Sequence, residues 1–199
     1  MTETNHYEAI VLGVSAGGFH ALSAIVPEFP ESYSLPVIVV QHMGEANDEF
    51  LARHLNSHSA VLVKEAGDKE AIQPGTLYLA PPGYHLLIEE DRSFSLSVDP
   101  RVNYSRPSID VLFNSAADVY QGSLIGVILT GANSDGSQGL RNIKERGGLA
   151  IAQDPASAEV KYMPQKAIAT AQVDHVLKLE EIGPFLRQFH DPRRVKLWA

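Results

Sequence analysis

The sequence predicts an α/β protein: a doubly wound, mostly parallel sheet with helices on both faces (three layers, α/β/α) and an appended antiparallel hairpin. Three observations predict it. Short apolar runs rich in β-branched residues recur along the chain, each bounded by turn residues. Several of these runs are continuous rather than alternating, as expected of strands covered on both faces. Amphipathic segments of helical length lie between them, and alternating strand and helix yields a parallel sheet.

The first strand is "EAIVLGV" (8–14), leading through a glycine-rich turn into a helix at about 17–27. A second strand, "PVIVVQH" (36–42), precedes a helix over 47–58 and a third strand, "AVLVKE" (60–65). The alternation then breaks. Residues 76–99, "TLYLAPPGYHLLIEEDRSFSLSVD", pack three strand-like runs around "PPGY" and "EEDRS" turns with no room for helices. That pattern reads as an antiparallel hairpin or meander added to the main sheet. A helix over 107–121 restores the alternation, followed by strands "LIGVILTG" (124–131), "LAIAQD" (149–154) and "DHVLKL" (174–179). Helices over 136–146, 164–170 and 180–190 complete the pattern. Asn47, Ser108 and Asp135 stand where helix caps stand, and Gly147 where a helix stops.

Composition narrows the function classes. The length suits one domain, and an apolar fraction of 44% with 20% charged residues is that of a soluble globular protein. Sixteen Lys and Arg against 24 Asp and Glu leave a formal charge of −8, which argues against nucleic acid as a partner. With no cysteine, thiolate nucleophiles, disulfides and Cys-based metal sites are excluded. The N-terminus lacks a signal peptide's basic start and apolar stretch, and no run is long enough to span a bilayer. A cytoplasmic protein without membrane insertion is expected.

The turn after the first strand carries the chemistry. Gly13-Val14-Ser15-Ala16-Gly17 fits the G-x-S-x-G elbow, which presents a serine hydroxyl beyond the carboxyl edge of a sheet. The Ala16 amide, at a helix N-terminus, can then stabilise an oxyanion. The same glycines suit a dinucleotide loop, but that reading wants an acid at the end of the second strand. Gln41 and His42 stand there, with Glu45 beyond in the loop. His42 can serve Ser15 as a base. In "VILTGANSDGSQG" (127–139), Asp135 is either an ordinary N-cap or the carboxylate that orients the imidazole, while Ala132 offers a further backbone donor. His54 and His58, four apart on a helix, lack the glutamate of H-E-x-x-H and read as surface histidines rather than a metal site.

Ordered blocks then point to one family. "GVSAGG", "VIVVQHM", "LYLAPPGYH", "SRPSIDVLF", "GVILTGANSDGSQGL", "GGLAIAQD" and "YMPQKAI" resemble the catalytic domain of the chemotaxis-receptor (protein-glutamate) methylesterases over about residues 8–189. The order Ser15, His42, Asp135 fits that family and not the α/β-hydrolases, whose acid precedes the histidine. The resemblance implies a serine hydrolase that removes glutamyl γ-methyl esters from chemoreceptor cytoplasmic helices through an acyl-enzyme; some relatives also deamidate glutamines. It implies Ser15 as nucleophile, His42 as base and then acid, Asp135 as orienting acid, and the Ala16 and Ala132 amides as oxyanion donors. No metal or organic cofactor is implied.

Arg106, Tyr162 and Met163 are expected at the substrate groove. A bidentate contact from Arg106 to carboxylates stands beside a structural salt bridge as its alternative. The chain departs from the family where Ala16 replaces a common Thr, Ala132-Asn133 a Met-Gly pair, and Tyr162 a small residue. Residues 1–190 are expected to form one catalytic domain and 191–199 a polar tail, with no receiver domain; the chain is either a free-standing enzyme or a piece of a larger protein, and a separate regulatory protein is one candidate partner. A Rossmann-like nucleotide-binding or catalytically silent interaction module is the alternative.

Overall fold

The central apolar runs form strands because their residues are buried on both faces beneath helix layers. The computed structural model describes residues 6–42 and 48–191, the side chains of 48 and 49 excepted. In chain order, β1 (Ala9–Val14) leads to α1 (Gly18–Ile25), which a 3₁₀ turn extends to Glu28. Then follow β2 (Val37–Gln41), α2 (Asp48–Ser57), β3 (Leu62–Glu65), β4 (Thr76–Leu79), β5 (His85–Ile88) and β6 (Phe94–Ser97). The second half runs α3 (Ile109–Tyr120), β7 (Leu124–Ile128), α4 (Ser137–Glu145), β8 (Leu149–Gln153), α5 (Tyr162–Ala171), β9 (His175–Leu177) and α6 (Leu179–Arg187).

Among the described residues, seven strands form one sheet in the order β3-β4-β2-β1-β7-β8-β9, every pair parallel. Successive side chains of β1 enter opposite cores. Ile10, Leu12 and Val14 pack with Leu22 and Ile25 of α1, Leu55 of α2 and Ile182 of α6. Ala9 and Val11 face the other layer, with Leu112 and Phe113 of α3, Leu140 of α4 and Ala167 of α5.

The middle of the chain corrects one expectation. Only β5 and β6 form the antiparallel hairpin, pairing His85 with Ser97 through to Ile88 with Phe94. The first run of that region, β4, is instead a parallel member of the main sheet between β3 and β2. Its burial explains the choice: all four residues of "TLYL" are buried, Leu77 and Leu79 in one core and Tyr78 in the other. A strand at the edge of a two-stranded ribbon could not cover both faces.

The sheet grows outward in both directions from β1, with β2 on one side and β7 on the other. Chains leaving these three carboxyl ends diverge to opposite layers, and the crevice between them is where open α/β sheets bind ligands. Every residue of β1 is buried, so Leu12→Ala is expected to cost about 2–5 kcal/mol in chemical denaturation. Leu62→Ala, on the half-exposed outer strand β3, should stay within about 1 kcal/mol of wild type.

Candidate active site

Ser15 sits where β1 gives way to α1. Its amide donates to Thr130 O (3.0 Å), and its own carbonyl accepts from Gly18 N (2.9 Å), closing a tight turn. Thr130 Oγ1 donates to Ala16 O (2.8 Å) and accepts from Val160 N (2.9 Å), so one hydroxyl ties three loops. The loop after β7 lies against the serine because residue 131 is glycine: a Cβ there would fall 2.9 Å from Ser15 Cβ and 2.5 Å from Met163 Cε. Ala16 and Ala132 are exposed, and their amides have no backbone acceptor among the described residues.

His42 follows β2, with its amide on Val14 O (3.0 Å). Gln41 braces the two strand ends: Nε2 donates to both Ser15 O and His42 O at 2.9 Å. This position is where a nucleotide-binding sheet would present its ribose acid, and here the amide is spent within the protein. Gly18 makes room for it, since a Cβ there would stand 1.8 Å from Gln41 Oε1.

The imidazole Nε2 lies 2.8 Å from Asp135 Oδ2. Facing a carboxylate assigns the proton to Nε2 as donor and leaves the lone pair on Nδ1. Nδ1 meets Asn133 Nδ2 at 3.4 Å. Among the described residues no hydrogen bond joins Ser15 Oγ to His42.

Asp135 is fully buried and, among the described residues, accepts from five donors. Besides His42, these are Asn103 Nδ2 and Ser108 Oγ (each 2.8 Å), and the amides of Ile109 (2.7 Å) and Asp110 (3.2 Å). Burial pushes its carboxyl upward, but the hydrogen bonds from His42, Asn103 and Ile109 outweigh burial and hold it below its ordinary value. The neighbouring Asp110 goes the other way: burial raises it, its bond from the Gly139 amide opposes the rise, and the Asp135 charge adds to it. Asn103 lies between the pair, donating to Asp110 Oδ2 and Asp135 Oδ1 at 2.8 Å each.

These bonds correct both helix-cap expectations. Asp135 does not cap the helix that follows it; α4 starts from Gly136 at φ 88° with no side-chain cap bond. It caps α3 instead, from 25 and 26 residues away in sequence, through the amides of Asp110 and Ile109. Ser108 occupies the N-cap position of α3, yet its hydroxyl goes to Asp135 rather than to its own helix. Gly147 does end α4, at φ 87° with its amide on Lys144 O. Asn47 and Glu45 lie outside the described residues.

The proposed groove residues separate. Arg106 spends Nη1 on Val98 O (2.7 Å) and Asp99 O (3.1 Å), holding the loop before α3 rather than standing free as a carboxylate clamp. Met163 is wholly buried and pinned by its amide to Gly131 O (2.9 Å), so it backs the serine loop. Tyr162 is half-exposed, with Lys166 Nζ 5.4 Å from its ring. The rings of His54 and His58 lie 4.6 Å apart, tilted by 36°, and His54 Nε2 meets Ser23 Oγ at 3.3 Å. A cleft of about 630 Å³ opens beside Ser15, walled by Gly17, Phe19, Gln41, Phe50 and Glu159 among others; His42 and Asp135 are not among its walls. Gln41, Asn103 and Asn133 carry contacts that no motif announced. The one visible signal was Gln41, a polar residue closing an otherwise apolar strand.

The fold and site define a class: a doubly wound α/β/α protein that gathers a serine, a histidine and a buried aspartate at the switch point of its sheet. Comparison with known proteins makes this specific. The family profile described as CheB methylesterase matches residues 10–186, and the chain belongs to that family. A *Leptospira interrogans* protein provisionally named protein-glutamate methylesterase/protein-glutamine glutaminase is 55% identical over 89% of this chain and 92% of its own length. A *Clostridium acetobutylicum* protein named protein-glutamate methylesterase/protein-glutamine glutaminase is 37% identical over 88% of this chain, which spans 51% of that relative. The crystal structure of the *Thermotoga maritima* CheB methylesterase catalytic domain superposes with a TM-score of 0.88 at 36% identity, covering 92% of this chain and 98% of the other.

Two outcomes test the site's construction. Gly18→Ala drives a methyl into Gln41, and we expect a loss of about 1–3 kcal/mol in unfolding experiments. For Asp135, the folded carboxyl lies below its ordinary value of 3.8, so its ionisation stabilises the fold above about pH 4 and the benefit fades as pH falls through the folded value. The stability gap between wild type and Asp135→Asn, measured by denaturation from pH 7 to pH 2, should therefore be full at neutral pH and shrink on acidification.

Proposed function

We propose that this protein hydrolyses glutamyl γ-methyl esters on a chemoreceptor through an acyl-enzyme on Ser15. The observation that carries the reading is the Asp135–His42 bond at Nε2, which turns the lone-pair nitrogen Nδ1 into a base beside the serine's strand end. Ser15 Oγ attacks the ester carbonyl carbon as Nδ1 takes the hydroxyl proton. The negative charge on the carbonyl oxygen falls to the free amides of Ala16 and Ala132, the former at the N-terminal end of α1. Collapse of this intermediate expels methoxide, which leaves as methanol with the proton from His42. Water, activated by the same nitrogen, then splits the acyl-enzyme and releases the glutamate carboxylate and Ser15. With a glutamine side chain the leaving group is ammonia, and the residues keep the same roles.

Asp135 supports both half-reactions by holding Nε2–H and stabilising the imidazolium that forms, its own charge secured by α3 and Asn103. The close relatives' names, and 36% identity to a methylesterase catalytic domain across most of the chain, support the substrate assignment.

Methanol release from a methylated chemoreceptor cytoplasmic fragment is the direct test. Ser15→Ala and His42→Ala should each lower turnover by roughly 10⁴–10⁶, and Asp135→Asn by about 10⁴ with the fold retained. Release by Ser15→Ala at a rate near wild type would remove the mechanism.

A further inference from the structure

We infer that Asn133 is a built-in brake on His42: its side-chain amide occupies the imidazole nitrogen that must receive the serine's proton. The inference rests on Ser15 and His42 acting as nucleophile and base. Asn133 lies in the loop between β7 and α4, and its own contacts fix which way its amide points. Oδ1 accepts the Asp135 backbone N–H at 3.2 Å, which turns Nδ2 toward His42 Nδ1 at 3.4 Å. Because Nε2 donates to Asp135 Oδ2 at 2.8 Å, Nδ1 is the accepting nitrogen, and the pairing is donor to acceptor. The contacts close a ring running from the Asp135 carboxylate through His42 and Asn133 back to the Asp135 amide.

This ring suits the resting state only. When Ser15 transfers its proton, Nδ1 becomes an N–H donor, and an N–H of Asn133 cannot bond to another donor. The amide cannot simply turn its oxygen inward without giving up the Asp135 N–H. An interaction present before the proton transfer and lost during it favours the ground state over the transition state, and so raises the barrier. Nor does the imidazole need Asn133 to select its tautomer, because the carboxylate already holds the proton on Nε2. The 3.4 Å length makes the contact weak enough for a serine hydroxyl to displace once substrate settles against the site.

The test compares wild type with Asn133→Ala and Asn133→Gly, with Ser15→Ala as the unreactive control. A fluorophosphonate probe should label Ser15 about 3- to 10-fold faster in both variants, the worth of one weak hydrogen bond. In the same variants the ¹⁵N resonance of His42 Nδ1 should move toward that of a nitrogen with a free lone pair, while Nε2 stays in place. A role confined to loop structure would not move Nδ1. Labelling that is equal or slower in both variants overturns the brake, and a large slowing would instead make Asn133 a donor to the transition state. Faster labelling with Nδ1 unmoved overturns it as well. If no chain is labelled above the Ser15→Ala control, the nucleophile reading falls and the brake falls with it.

Discussion

The buried carboxylate of Asp135 is the constraint on which the rest of the site depends. An isolated charge removed from water costs several kcal/mol, and here the cost is offset by five donors drawn from three separate parts of the chain, His42, Asn103 and the run 108–110. Two are the first amides of α3, a 12-residue helix whose N-terminal dipole favours an anion. A third is the imidazole. The bonds that make the buried charge tolerable therefore also dock α3, anchor the segment around Asn103 and set the ring of His42. Fold stability and the orientation of the His42 ring share one carboxylate.

A second set of contacts places the serine relative to that carboxylate. Gln41 joins the Ser15 and His42 backbones, and Thr130 joins the serine turn to the segment before α5. Gly131 lets the loop after β7 approach, and Met163 seals it from behind. Each of these residues acts through another and never faces the cleft as a reactive group. Gln41, Thr130 and Gly131 are polar or small for reasons of backbone bracing and close approach, and Met163 is apolar for packing, requirements that resemble those of any loop when read along the chain.

Much was legible in one dimension. The apolar runs located the strands of the main sheet because strands buried on both faces leave a continuous signature. Ser15 and His42 stood at strand ends flanked by glycine or polar residues, where a parallel sheet exposes its carboxyl edge. The run 76–79 was harder: four buried residues between turns fit a hairpin as well as a central strand, and only the two cores decide between them. The contacts of Arg106 and Met163 were hidden for a related reason. A guanidinium close to the site can be spent on nearby carbonyls, and a methionine beside a substrate groove can point into the core.

The sequence by itself determined the layer architecture, because strand and helix periodicity are local properties; its ordered blocks pointed to the family, and strand-end chemistry nominated Ser15, His42 and Asp135. It left Asp135 between two roles, helix cap and imidazole partner. Tertiary structure decided that the aspartate is both, capping α3 rather than its own helix while holding His42. It also decided that Asn133 reaches the other ring nitrogen of the imidazole. These contacts join residues 25 to 93 positions apart, and hydrogen-bond geometry at that separation is set by how helices and strands pack, which no local pattern encodes.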